Sequence, residues 1–92
     1  MHQLEITYQG RVQGVGFRAT VADLARRFEV RGMVQNRNDG SVRLVAEGDE
    51  RELVQFAQAI RERLARNIVI ESDNWKAIAK SSYADFYIGP TE

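Results

Sequence analysis

The run Gln3-Leu4-Glu5-Ile6-Thr7-Tyr8-Gln9-Gly10-Arg11-Val12-Gln13-Gly14-Val15-Gly16-Phe17-Arg18 sets the architecture of the chain. Leu4, Ile6 and Tyr8 alternate with polar residues, the period of a half-buried strand over 3–9. Gly10 to Gly16 is a glycine-rich loop. From Phe17 the period changes: Phe17, Val21, Leu24, Ala25 and Phe28 recur at helical spacing, which predicts an amphipathic helix over 17–28. Arg26 and Arg27 fall in its last expected turn, where the helix dipole favours cations.

Outward from this unit the rhythm repeats. Arg31 to Asn36 reads as a second strand. Asn38-Asp39-Gly40 is a tight-turn signal, because these residues tolerate positive φ. Ser41 to Glu47 alternates through Val42, Leu44 and Ala46 and completes a hairpin. Asp49 and Glu52 carry the spacing of a capping box. Leu53, Phe56, Ala57, Ile60 and Leu64 then form the apolar stripe of a second helix to about Ala65. Ile68-Val69-Ile70 opens a fourth strand with no clear end, and Phe86-Tyr87-Ile88 is a fifth, closed by Gly89-Pro90. The order β-α-β-β-α-β-β predicts an α+β, ferredoxin-like two-layer sandwich: an antiparallel sheet with two helices on one face.

Composition narrows the chemistry. A chain of 92 residues is expected to form one domain, residues 1–92. Without cysteine there is no disulfide framework and no thiol nucleophile. The one histidine, His2, stands near the start of the sequence and reads as a surface residue, not a metal ligand or a triad base. Thirteen basic residues balance thirteen acidic ones, so no global field draws nucleic acid. No apolar run nears the roughly 20 residues that span a bilayer. No leader pattern precedes the first strand, and a cytoplasmic, monomeric protein is expected.

The chemistry concentrates where the glycine loop enters the helix. Unpaired backbone N–H groups at a helix start attract anions, and glycines let successive N–H groups converge. Arg18 adds a guanidinium able to fork onto two phosphate oxygens. Loop composition alone fits a plain strand-to-helix turn equally well. Gly14-Val15-Gly16-Phe17-Arg18-Ala19 also matches a dinucleotide fingerprint, but the chain is too short for that fold and lacks the ribose-binding acid. No Gly-Lys-[Ser/Thr] follows, so a nucleotide P-loop fails. A phosphate cradle without a nucleotide needs a partner elsewhere. Asn36, at the end of the second strand, has an amide that both donates and accepts. By itself it also fits a turn-flanking role.

Together Gly10-Arg11-Val12-Gln13-Gly14-Val15-Gly16-Phe17-Arg18 and Gly32-Met33-Val34-Gln35-Asn36, followed by Asp39-Gly40-Ser41-Val42, resemble the two signatures of the acylphosphatase family. The likeness runs from about residue 4 to 65. Met33 stands where family members often carry Trp, the proline usual after the second helix is absent, and residues 66–85 match poorly. The resemblance implies a strand order of 4-1-3-2-5 and hydrolysis of acyl phosphates by water, without metal or other cofactor. It implies that the Gln13, Gly14, Val15, Gly16 and Phe17 backbone and the Arg18 side chain hold the phosphoryl group, and that Asn36 positions the nucleophile. Phosphate and sulfate are then the expected competing anions.

Two other classes share this outline. A non-catalytic regulatory or maturation-type domain would keep the cradle inside a larger assembly. A ferredoxin-like RNA-binding module would carry aromatics centrally on strands one and three, and Val42-Arg43-Leu44-Val45-Ala46 has none. Glu71, Asp73 and Asp85 read as solvated acids. Arg61, Arg63 and Arg66 read as part of a charge-balanced helix with Glu50, Glu52 and Glu62. Trp75, Tyr83, Phe86 and Tyr87 read as edge packing or an interface.

Overall fold

Alternation gives each inner strand one apolar face, and both helices lie on that face. In the computed structural model, which describes residues 1–92, the elements are β1 (His2–Gly10), α1 (Phe17–Ala25), β2 (Val30–Asn36), β3 (Val42–Gly48), α2 (Glu50–Arg63), β4 (Ile68–Ala77) and β5 (Phe86–Ile88). The five strands form one sheet in the order β4-β1-β3-β2-β5, as expected. Leu4, Ile6 and Tyr8 of β1 and Val42, Leu44 and Ala46 of β3 are buried against Phe17, Val21 and Leu24 of α1 and Leu53, Phe56 and Ile60 of α2. Each large apolar side chain so buried contributes about 1.5–3 kcal/mol.

The sheet is mixed, which corrects the expectation of a purely antiparallel one. β1 pairs antiparallel with β3 and β4, and β2 antiparallel with β3, but β5 runs parallel to β2. The reason is where the last connection crosses. Residues 78–85 leave β4 at the end of the sheet where Ile78 N–H bonds the Met1 carbonyl, and they reach the far edge where Gly32 N–H bonds the Asp85 carbonyl. That is the end from which β2 starts, so a strand entering there runs in the same direction as β2.

Local boundaries shift for identifiable reasons. α1 stops at Ala25, and Arg26, Arg27 and Phe28 donate to carbonyls three residues back. Tighter turns thus replace the last expected helical turn, and the two arginines lie beyond the helix. Phe28 still reaches Phe56, with ring centroids 5.8 Å apart. The capping box does not form: Asp49 makes no side-chain cap bond, and Glu52 instead accepts the Glu29 N–H at 2.8 Å. α2 ends at Arg63, so Arg66 lies outside it. Glu71 is not solvated, since β4 places it beside Arg61, at 2.6 Å.

The other sheet face mixes polar side chains with Met33 and Val45, and Met33, Gln35, Val45 and Glu47 on it are buried. Its one deep charge is Glu47, only 1% exposed. Gln3 Nε2 donates to one carboxylate oxygen at 2.7 Å, and the Ser81 hydroxyl and Ser82 N–H donate to the other at 2.8 and 2.7 Å. This clamp holds the 78–85 crossing against the sheet. Burial works to raise the Glu47 pKa, but these donors outweigh it and hold the carboxyl below its ordinary range. The stabilisation is therefore complete above about pH 4.3, the value of an unfolded glutamate, and is lost as pH falls through the lower folded value. Glu47→Gln should cost about 1–3 kcal/mol at pH 7 and flatten the acid limb of stability. Thermal unfolding between pH 7 and pH 2 checks this; an acid limb identical in both proteins would contradict it.

Candidate active site

The loop between β1 and α1 is built from backbone. Gly14 and Gly16 have φ of 74° and 78°, and the space beside each is open. Glycine is required here for the left-handed curl and not for room. Gly16 is the N-cap of α1, with no capping side chain, and its carbonyl accepts the first helical bond, from Thr20 N–H at 3.0 Å. No acceptor within the protein takes the N–H groups of Gly14, Val15, Gly16, Phe17 or Arg18. Five unpaired donors thus stand between Gly14 and the first turn of α1, at the positive end of the helix.

The side chains of this loop divide into separate tasks. Phe17 is buried in the core against Tyr8, ring centroids 5.1 Å apart, so only its N–H is free for the loop. Tyr8 is wholly buried, and burial pushes its phenol far above the ordinary range, with Glu71 adding to the effect. It therefore stays neutral and supports Phe17 as an apolar platform. Val15 is exposed at the loop tip. Arg18, half-buried in the first turn of α1, forms no ion pair with any acid. A cation beside free N–H groups at a helix N-terminus is a concentration of positive charge without an internal counterion.

Gln13 has a task that the sequence did not reveal. Its Nε2 donates to the Arg37 carbonyl at 2.8 Å and the Ser41 carbonyl at 2.9 Å. The glycine loop is thereby latched to the β2–β3 turn. That turn is itself locked: Arg37 N–H bonds the Ser41 carbonyl at 2.8 Å, and Asp39 Oδ1 accepts from the Ser41 N–H and hydroxyl at 2.9 and 2.6 Å. The Ser41 bonds hold the Asp39 carboxyl below its ordinary range. The nearest sequence signal for the latch was a lone amide between Val12 and Gly14, neighbours without hydrogen-bonding side chains.

Asn36 immediately precedes the latched turn. It shares the face of Val34, two residues earlier, which looks toward the helices, and α1 packs across β2 and β5. Its Oδ1 is buried, and no protein donor reaches it. An unpaired buried polar atom costs about 1–3 kcal/mol; the Tyr8 hydroxyl is the other one so left. The two motifs are thus brought to the same end of the sheet, the loop by its strand and helix, Asn36 by β2, and the pair by Gln13.

Free N–H groups and an unpaired arginine at the start of α1, on an antiparallel-rich α+β sandwich, are suited to an anion. A sequence model of the acylphosphatase family matches residues 4–88, beyond the stretch whose signatures were legible, and the chain belongs to that family. The family consists of hydrolases of acyl phosphates. The chain is 52% identical over 61 residues to an acylphosphatase of Bacillus velezensis, covering 66% of this chain and 68% of the relative. The crystal structure of the Bacillus subtilis acylphosphatase superposes with a TM-score of 0.84 at 33% identity, over 97% of this chain and 99% of that one. HypF of T. kodakarensis superposes with a TM-score of 0.80 at 26% identity, over 97% of this chain but 12% of that protein.

The latch makes a prediction independent of chemistry. Gln13→Glu turns a donor that faces two carbonyls into an acceptor. It should cost about 2–4 kcal/mol, combining lost bonds with an unpaired charge. Amide exchange at Arg37, whose N–H closes the latched turn on the Ser41 carbonyl, should accelerate more than at β1. Chemical unfolding and hydrogen exchange measure both, and wild-type protection at Arg37 would remove the latch.

Proposed function

We propose that this chain hydrolyses acyl phosphates by direct attack of water, with Arg18 and the Gln13–Phe17 backbone holding the phosphoryl group and Asn36 orienting the water. The observation that carries it is the unpaired Arg18 at the N-terminus of α1, beside five free N–H groups. The water oxygen bonds to phosphorus, the phosphorus–oxygen bond to the acyl group breaks, and a carboxylate departs with that electron pair. The water proton ends on the phosphate product. A carboxylate leaves readily, so a strong general base is dispensable. Orientation and charge stabilisation then carry most of the rate.

Asn36 supports the reading through its free acceptor, which is suited to a water proton, while its amide N–H₂ can face the phosphoryl oxygens. The reading includes no metal: nowhere do three His, Asp or Glu side chains converge. It takes residues 1–92 as one acylphosphatase-like unit, acting as a monomer in the cytoplasm. The lack of cysteine suits that compartment, since small secreted domains commonly rely on disulfides. A nucleic-acid role is disfavoured because the residues that β1 and β3 turn away from the helices, Gln3, Glu5, Thr7, Arg43, Val45 and Glu47, include no aromatic, and Val45 and Glu47 are buried. The likeness to a small part of HypF favours a second reading, a domain that keeps the cradle within a larger assembly. Turnover by the isolated chain separates the two.

The expected outcome is turnover of a simple aryl-acyl phosphate, insensitive to chelator, with phosphate and sulfate as competitive inhibitors. Arg18→Ala should lose phosphate affinity and turnover together, and Arg18→Lys should rescue poorly because a point charge does not reproduce the fork. Asn36→Ala should leave phosphate inhibition within about twofold while kcat falls by about 10²-fold or more, as for a misplaced reactant. Near-wild-type kcat in folded Asn36→Ala would remove it from the mechanism.

A further inference from the structure

β5 ends at Ile88, opposite Val34, two residues short of Asn36. Beyond it, β2 is flanked by the tail segment 89–92. Gly89 N–H donates to the Val34 carbonyl at 2.9 Å, and Glu92 N–H donates to the Asn36 carbonyl at 3.0 Å. Asn38 N–H in turn donates to the Glu92 carbonyl at 2.7 Å. Between these contacts Gln35, 2% exposed, donates from Nε2 to the Pro90 carbonyl at 2.8 Å, and its Oε1 accepts from Arg43 at 3.1 Å. Two steps along β2, from Val34 to Asn36, correspond to three along the tail. The extra residue fits Pro90, which has no N–H to give to a ladder.

The consequence falls on Asn36. On one side it pairs with Val42 of β3. On the other, only the tail holds it, with Glu92 bracketed between the Asn36 carbonyl and the Asn38 N–H. Without the tail, Asn36 would sit on a frayed edge at the mouth of a turn. Its buried, unpaired Oδ1 is useful only if the backbone beneath it is fixed.

We propose that residues 89–92 are positioning residues for the hydrolysis, acting through backbone hydrogen bonds that hold Asn36, and therefore the attacking water, in place. This rests on the reading of Asn36 given above. The segment touches no substrate. It makes the end of β2 an inner strand where the assigned sheet leaves an edge. Arg18 and the loop N–H groups are carried by α1, and the turn that the Gln13 latch reaches is also closed by the Arg37–Ser41 bond, so loss of the tail acts on water placement more than on phosphate binding.

The test is a double-mutant cycle between the tail and Asn36, read in kcat, phosphate Ki and unfolding midpoint. Removal of residues 90–92 should lower kcat about tenfold or more, with phosphate Ki within about twofold. The same truncation in Asn36→Ala should bring no further loss of kcat, because its target is gone. Glu92→Pro removes the N–H donated to Asn36 while keeping a carbonyl for the Asn38 N–H, and should reproduce the kcat loss; it decides the question if the truncated chain does not fold. A truncated or Glu92→Pro enzyme with wild-type kcat overturns the proposal, as does an equal further loss in the Asn36→Ala background. Asn36→Ala with wild-type kcat overturns the reading beneath it, an outcome visible before any tail variant is made.

Discussion

The Gln13 carboxamide is the constraint on which the site depends. A glycine loop with φ of 74° and 78° at two of its positions has no stiffness of its own. Two hydrogen bonds from one side chain fasten it to the carbonyls of Arg37 and Ser41. The same two residues close the β2–β3 turn on themselves. One amide therefore fixes the cradle relative to the strand that carries Asn36. Its acceptors are backbone carbonyls, and the Ser41 hydroxyl holds one of them in place through Asp39.

The electrostatics of the site follow from leaving charges unpaired. Two ion pairs form in the molecule, Glu5–Arg43 and Arg61–Glu71, beside a His2–Glu50 contact at 3.8 Å, and none involves Arg18. A guanidinium at a helix N-terminus opposes the helix dipole. Folding tolerates this because the half-exposed position lets water screen the charge, and because Phe17 and Tyr8 anchor the adjacent backbone in the core. On the proposed reading a bound phosphoryl group would relieve both the opposed dipole and the unfilled N–H groups.

The face of the sheet away from the helices is ordered. Glu5, Arg43 and Gln35 form one chain of contacts that ends on the Pro90 carbonyl. Gln3, Glu47, Ser81 and Ser82 form another. Each joins the sheet to a segment that has little apolar surface to bury, the tail in one case and the 78–85 crossing in the other. Hydrogen bonds to buried side chains do there what the hydrophobic core does on the helix face.

The sequence by itself determined the elements, their order and the two motifs, because periodicity is a local property. Leu4, Ile6 and Tyr8 state a strand face, and Phe17, Val21 and Leu24 state a helix face, without reference to anything distant. Arg18 and the glycine loop could be singled out for the same reason, since the proposed anion cradle lies within a few adjacent residues. Whatever required two distant segments to meet was decided only by the tertiary structure. The parallel direction of β5 depends on which end of the sheet the 78–85 crossing follows. The role of Gln13 depends on carbonyls 24 and 28 residues away, and the Glu47 clamp on donors 34 to 44 residues away. The missing capping box at Asp49 depends on Glu52 finding the Glu29 N–H instead. A side chain's hydrogen-bonding partner is chosen by proximity in space, and the one-dimensional pattern carries only the residue's capacity to make the bond.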